Sequence, residues 1–207
     1  MFVVKLPRAF VLLALLLPAC AVRAQIPKLQ DGDIIFQASR SAQSLAIQRA
    51  TGSRYSHMGV IFNRDGRPQV FEASATVRET PLKKWIARGQ DGHFVVKRLK
   101  SAKTSLTVEK LVAARKLAGS FRGKRYDLTF EWSDRRIYCS ELVWKLYNRV
   151  LGVKIGKLQR LREFNLDDPA VRKKLKERYG DAVPLEEPVI SPASMFDSEL
   201  LEEVARN

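Results

Sequence analysis

Three side chains in this sequence have the chemistry to break an amide bond. Cys139 stands in Ile137-Tyr138-Cys139-Ser140-Glu141-Leu142-Val143-Trp144, His57 in Tyr55-Ser56-His57-Met58-Gly59-Val60, and Glu72 in Val70-Phe71-Glu72-Ala73. A thiol, an imidazole and a carboxylate supply a nucleophile, an acid–base group and an orienting acceptor. Here the base precedes the nucleophile in the chain. The sequence holds 2 cysteines, Cys20 and Cys139. A thiol without a partner in an oxidising compartment is a liability unless its reactivity is wanted.

The oxidising compartment is read from residues 1–24. Lys5 and Arg8 give a positive start, Ala9 to Leu17 is an unbroken apolar run, and Val22-Arg23-Ala24 fits the small-x-Ala pattern cut by a signal peptidase. The run is shorter than the roughly 20 apolar residues of a membrane span. The expectation is an exported, periplasmic protein with a signal peptide over 1–24 and one domain over 25–207, a length that supports a real core. Leu17-Pro18-Ala19-Cys20 also reads as a lipobox, the alternative being an outer-membrane lipoprotein anchored through Cys20. In either case Cys20 is not a disulfide partner for Cys139.

Charge narrows the partners. The chain carries 37 Lys+Arg against 22 Asp+Glu, a formal charge of +15. For an exported protein this implies attraction to anionic lipid head groups or the acidic cell wall, or simply a basic soluble surface. Nucleic acid is not expected, since no zinc finger, RNP-like or recognition-helix signature is present.

The elements that must position the three groups are legible in part. Asp33 to Gln37 reads as a short strand after the Asp31-Gly32 turn, and Ser39 to Ala50 as a helix capped by Ser39 or Ser41. His57 to Phe62 and Gln69 to Ala73 flank Asn63-Arg64-Asp65-Gly66-Arg67-Pro68, a hairpin signal that brings His57 and Glu72 onto adjacent strands. Phe94 to Leu99 reads as a further strand, and Leu106 to Ala118 as a helix ended by Gly119. Leu142, Val143, Leu146, Tyr147 and Val150 recur at the spacing of one helical face stopped at Gly152. Cys139 therefore falls at the first turn of that helix, where unpaired N–H groups and the helix dipole favour a thiolate. Taken alone, Cys139 reads equally as a buried, inert thiol.

The surrounding residues shift that balance. Gly123-Lys124-Arg125-Tyr126-Asp127, followed by Tyr138-Cys139-Ser140-Glu141-Leu142-Val143, resembles the nucleophile segment of the NlpC/P60 papain-like superfamily. With Gly32-Asp33-Ile34-Ile35-Phe36 and the His57 and Glu72 strands upstream, the order resembles its circularly permuted branch, the YiiX/YaeF-like hydrolases. The resemblance covers residues 31–151. It implies an α+β permuted papain-like fold, a small antiparallel sheet or barrel packed on helices, with Cys139 as nucleophile, His57 as base and Glu72 as the group holding the imidazole. Tyr126 matches a tyrosine near the oxyanion site, although such a ring could equally pack in the core. The resemblance further implies a cysteine amidase or peptidase acting on a peptide or amide substrate, peptidoglycan stem peptides being the leading candidate. A lipid acyl hydrolase or acyltransferase using the same thiol is the second reading, and a non-catalytic basic envelope-binding protein the third.

Other residues read more plainly. His93, in Gly89-Gln90-Asp91-Gly92-His93, is a rival base but reads as an exposed loop residue. Glu141 reads as a favourable charge in the first helical turn, or as a contact for a cationic substrate. Asp127 caps a turn or binds substrate. With 2 histidines and no cysteine pair, neither a metal site nor a cofactor is expected. Lys154 to Arg178 is densely basic and includes a helix over Pro169 to Tyr179 ended by Gly180. Its basic face reads as solvated or as a docking surface for membrane or an acidic partner. Val189-Ile190-Ser191-Pro192-Ala193-Ser194-Met195 resembles the strand and closing helix that follow the cysteine helix in the same family.

Overall fold

The structure, a computed structural model, describes Met1 and residues 29–207. The expected signal peptide over 1–24, and Cys20 within it, lie outside the described residues. In chain order the elements are β1 (Ile34–Gln37), α1 (Ala42–Thr51), β2 (His57–Arg64), β3 (Arg67–Ala73), β4 (Val77–Pro81), α2 (Leu82–Arg88), β5 (Val95–Leu99), α3 (Ala102–Ser105), α4 (Val108–Phe121) and α5 (Cys139–Leu151). They are followed by β6 (Gln159–Arg160), α6 (Pro169–Tyr179), β7 (Pro188–Val189), α7 (Pro192–Phe196) and β8 (Leu201–Arg206). Six strands form one antiparallel sheet in the order β4-β3-β2-β1-β5-β8, and β6 pairs with β7 in a small second sheet.

The period-two pattern of the central strands gives this sheet two buried faces. Met58, Val60, Phe62 and Phe71 pack with Leu142, Val143 and Leu146 of α5 on one side. Ile35, Ile61, Val70 and Val96 pack with Leu82 and Trp85 of α2 on the other. The result is a mixed α+β architecture with an antiparallel sheet on helices, as expected.

The local signals act as their chemistry dictates. Ser41 caps α1 by accepting from Ser44 N–H at 3.1 Å, and Asp168 caps α6 by accepting from Ala170 N–H at 2.8 Å. Asp65-Gly66 turns the β2–β3 hairpin with both residues at positive φ. Gly152, at φ 71°, ends α5. Three sequence expectations need correction. The helix expected to stop at Gly119 runs to Phe121, because Phe121 is buried against the core and extends the packed face. The strand over Val95–Leu99 is the fifth, since β4 precedes it. Three strands, β4, β6 and β8, and the helices α2 and α3 were not expected.

Gly59, in the middle of β2, has a steric role. A Cβ there would lie 2.5 Å from Val70 Cγ1 and 2.8 Å from the Phe71 carbonyl oxygen. Gly59→Ala is expected to lose about 2 kcal/mol, since the neighbouring strand must shift to admit it. An unchanged midpoint in thermal or urea unfolding would contradict this close approach.

Candidate active site

His57 opens β2, and Val60 of that strand pairs with Phe71 of β3. This register sets Glu72 diagonally across from His57 on the same face, within reach of two long side chains. His57 Nε2 lies 2.7 Å from Glu72 Oε2. The ring stacks on Trp85, with centroids 5.8 Å apart and planes at 24°. The other ring nitrogen, Nδ1, is left free of Glu72, and Cys139 is near enough to act on the ionisation of the ring.

Glu72 is fully buried and its oxygens collect donors from three elements. Oε2 also accepts from Trp85 Nε1 at 3.0 Å, while Oε1 accepts from Thr80 Oγ1 at 2.6 Å and Arg88 Nη2 at 2.5 Å. Burial would push this carboxyl up, but the bonds from His57 and Thr80 and the charges of His57 and Arg88 hold it down at about 2. For His57, burial opposes the charge. The bonds to Cys139 and Glu72, with their negative charges, outweigh it and raise the imidazole to about 9.

Cys139 begins α5 and is 2% exposed. Burial pushes its thiol up. The hydrogen bond and charge of His57, together with the N–H groups of Met58 and Ser140, prevail and hold the pKa below the usual thiol value. Proximity of these two groups therefore favours a thiolate–imidazolium pair, whose two titrations belong to the pair rather than to either residue.

Tyr126 reaches the same point from a different segment. Its N–H donates to Ala75 O at 3.1 Å, and Ile137 N–H donates to Arg125 O at 3.2 Å, a bridge that ties Tyr126 beside the strand-like approach to Cys139. Its phenol lines one hollow together with Cys139, and burial, with the charge of Cys139, pushes its pKa well up, so it stays protonated at neutral pH. The four residues singled out from the sequence are thus brought together.

The remaining expectations resolve differently. His93 lies away from this cluster, its Nδ1 3.2 Å from the Asn207 carbonyl and its ring stacked on Tyr55. Glu141 is fully buried and faces Lys145 Nζ at 2.6 Å, while it accepts from Tyr138 N–H at 3.3 Å. Burial nevertheless raises it to about 7. It anchors the start of α5 and is not open to a cationic substrate. Asp127 is buried, accepting from Thr129 N–H at 2.9 Å and Thr129 Oγ1 at 2.8 Å, so it caps a turn. Sequence reasoning missed Trp85, Arg88 and Thr80, because nothing in Val77 to Arg88 marks it as the support of a carboxylate earlier in the chain. The only signal was the buried acid itself, which demands donors.

Two hollows meet at this cluster. One, of about 80 Å³, is mostly apolar, with Phe130, Leu161, Leu175 and Cys139 in its wall. The other is a more polar cleft of about 630 Å³, open to solvent, that contains His57, Ser56 and Thr76. Gln43, Ile47 and Tyr126 border both.

Residues 28–205 match the family model described as permuted papain-like amidase enzyme, YaeF/YiiX, C92 family. The chain is 51% identical over 177 residues to the uncharacterized protein YiiX of Escherichia coli K12, spanning 86% of each sequence. It is also similar to a crystal structure described as metalloprotein yiiX from Escherichia coli O157:H7. That similarity has a TM-score of 0.81 and 51% identity, and it covers 86% of this chain and 97% of that one. The matched family carries the YaeF/YiiX name rather than the broader NlpC/P60 label expected from the motifs. With His57 on a strand that precedes the Cys139 helix in a sheet-on-helix fold, and a family match across nearly all described residues, the chain belongs to the YaeF/YiiX C92 family of permuted papain-like amidases.

Proposed function

We propose that the protein is a thiol amidase in which Cys139 attacks a carbonyl carbon, His57 moves the proton and Glu72 fixes the imidazole. The observation that carries this reading is the tether of His57 Nε2 to buried Glu72 at 2.7 Å, which leaves Nδ1 for Cys139 at the N-terminus of α5. The thiolate forms a C–S bond and the carbonyl electrons move onto oxygen. That oxyanion is met by the Tyr126 hydroxyl and the Cys139 N–H. Collapse expels the amine, protonated by the His57 imidazolium, and leaves a thioester. Water, giving a proton to His57, then attacks the thioester. The carboxylic acid leaves as the C–S bond breaks, which restores the Cys139 thiolate beside the His57 imidazolium.

The relative described as a metalloprotein raises a metal for this chain. Among the described residues no group of three or more His, Cys, Asp or Glu side chains converges to hold one. Glu72, the third such group near Cys139 and His57, has its oxygens occupied by four donors. The donor set does not fit a resident metal, so the chemistry assigned here runs through thiol, imidazole and carboxylate.

Export of the mature domain over 25–207 to the periplasm, or its anchoring through Cys20, remains our reading of the N-terminal sequence. Peptidoglycan stem peptides are the substrate that setting suggests, with the basic surface drawn to anionic membrane. The apolar hollow at Cys139 favours the second reading, an amide or ester of an apolar acyl group. Turnover of a muropeptide set against an N-acyl amide series of growing chain length separates them.

The test of the thiol chemistry is the pH profile of iodoacetamide alkylation. An ordinary thiol ionises near 8.5. The native protein is expected to react at pH 6 at least about tenfold faster than the denatured chain, and His57→Ala to lose that limb. On substrate, kcat/KM is expected to rise through the lowered thiol pKa and fall as pH passes about 9, where His57 loses its proton. A thiol that titrates normally and ignores His57→Ala would sink the amidase reading.

A further inference from the structure

The two hollows divide the substrate. In acyl transfer the leaving amine must lie beside the group that protonates it, which here is His57. His57 borders the polar cleft and not the apolar hollow, whereas Cys139 borders the apolar hollow and not the cleft. On the proposed mechanism the amine therefore leaves through the cleft, and the acyl group lies in the apolar hollow.

That hollow contains a cation held in no direct ion pair. Arg178, on α6, lines it and is half-buried, its guanidinium carbon 5.3 Å from the centroid of the Phe130 ring. Its carboxylate neighbours, Glu177 and Asp127, act on it from beyond ion-pair contact. Glu177 of the same helix holds Lys174 at 2.5 Å, and Asp127 faces Arg136 at 3.4 Å. Among the described residues no carboxylate lies in ion-pair contact with Arg178. The guanidinium shares this hollow with Tyr126 and Cys139 and is close enough to Tyr126 for their charges to act on each other. Burial works against that charge, and a half-buried guanidinium gains most from an anionic, planar acceptor. The other cation in the wall, Lys174, is already paired.

We propose that Arg178 is a specificity residue that selects acyl groups bearing a carboxylate, so that the preferred substrate is an amide of an apolar acid with a second, anionic end. This rests on the amidase reading for the side on which the acyl group lies. A structural role for Arg178, stacking on Phe130 alone, makes no such selection.

The test uses two maleimides that label Cys139, maleimidohexanoate with its terminal carboxylate and neutral N-hexylmaleimide. Each rate is divided by the same protein's iodoacetamide rate and compared with the ratio given by free mercaptoethanol. The native protein is expected to favour the carboxylate probe by about fivefold, the scale of one charge pair near 4 Å in a wet site. Arg178→Gln is expected to bring the ratio to that of the free thiol. Arg178→Lys should restore most of the preference, and Arg172→Gln, on an exposed position of α6, should keep it. Equal labelling by both probes in the native protein overturns the proposal, as does a preference that survives Arg178→Gln. A Cys139 that shows no low-pH reaction with iodoacetamide fails at the amidase reading instead, and the selection falls with it.

Discussion

Cys139→Ala is expected to reduce amide hydrolysis by at least about 10⁴-fold while the chain still folds. Removing the nucleophile of a thiol or hydroxyl triad leaves only binding and oxyanion contributions, and such losses run to about 10⁴ or more. Folding should survive because the deletion takes only a single sulfur from the edge of a large packed core. Circular dichroism and the thermal midpoint should stay near those of the native protein. Cys139→Ser keeps shape and hydrogen bonding but loses the easy ionisation of the thiol, so it should be nearly as inactive. Activity within tenfold of native in either variant would remove Cys139 from the reaction.

Glu72→Leu is expected to cost about 3–5 kcal/mol of stability, the largest loss from any single side chain of the site. Glu72 is fully buried and is the common acceptor for His57, Trp85, Thr80 and Arg88. An apolar replacement leaves the buried Thr80 and Trp85 donors unpaired and takes the acceptor from the partly exposed His57 and Arg88. The size agrees with the titration. Holding this carboxyl at about 2 rather than 4.5 corresponds to roughly 3 kcal/mol of native-state stabilisation. The folded pKa is depressed, so that stability is present above pH 4.5 and is lost as pH falls toward 2. Urea unfolding at pH 7 and pH 3 should show the difference between native and Glu72→Leu shrinking in acid. Glu72→Gln, which keeps one acceptor oxygen, should cost less. A Glu72→Leu variant as stable as native at pH 7, or a difference that ignores pH, would show the carboxylate to be dispensable.

How far the sequence revealed this arrangement depended on whether each signal was local. The β2–β3 hairpin was legible because Asp65-Gly66 and two apolar runs lie within a few residues. The same pattern put His57 near Glu72. The start of α5 at Cys139 and its end at Gly152 followed from one amphipathic stripe, and α6 from Asp168-Pro169 and Gly180. β8 was not legible, because Leu201–Arg206 carries two glutamates and an arginine. They make sense only across the sheet, where Lys97 lies opposite Glu203 and Arg98 opposite Glu202. β4 and α2 were missed for the same reason. Val77 to Arg88 has short, mixed patterning, and its purpose, to bring Thr80, Trp85 and Arg88 to a buried carboxylate, is a tertiary one. The permuted order was recognised from motifs in sequence order, since no composition or period encodes it. Arg178 could not be singled out among so many basic residues until its neighbours' ion pairs were known.

The docking of α5 on β2 has a consequence for watching the molecule in solution. The influences that lower the Cys139 thiol, the Met58 and Ser140 amides and the His57 ring, come from opposite sides of the seam between helix and sheet. A molecule in which the helix has lifted from the strand keeps the sulfur but loses the ionisation, so its thiol reverts to an ordinary one. Alkylation at low pH is then a clock for opening of that seam, fast only while it is closed, whereas most protection experiments are slow while closed. Titrating dilute urea against the low-pH rate would report whether the seam parts alone or only with the whole sheet.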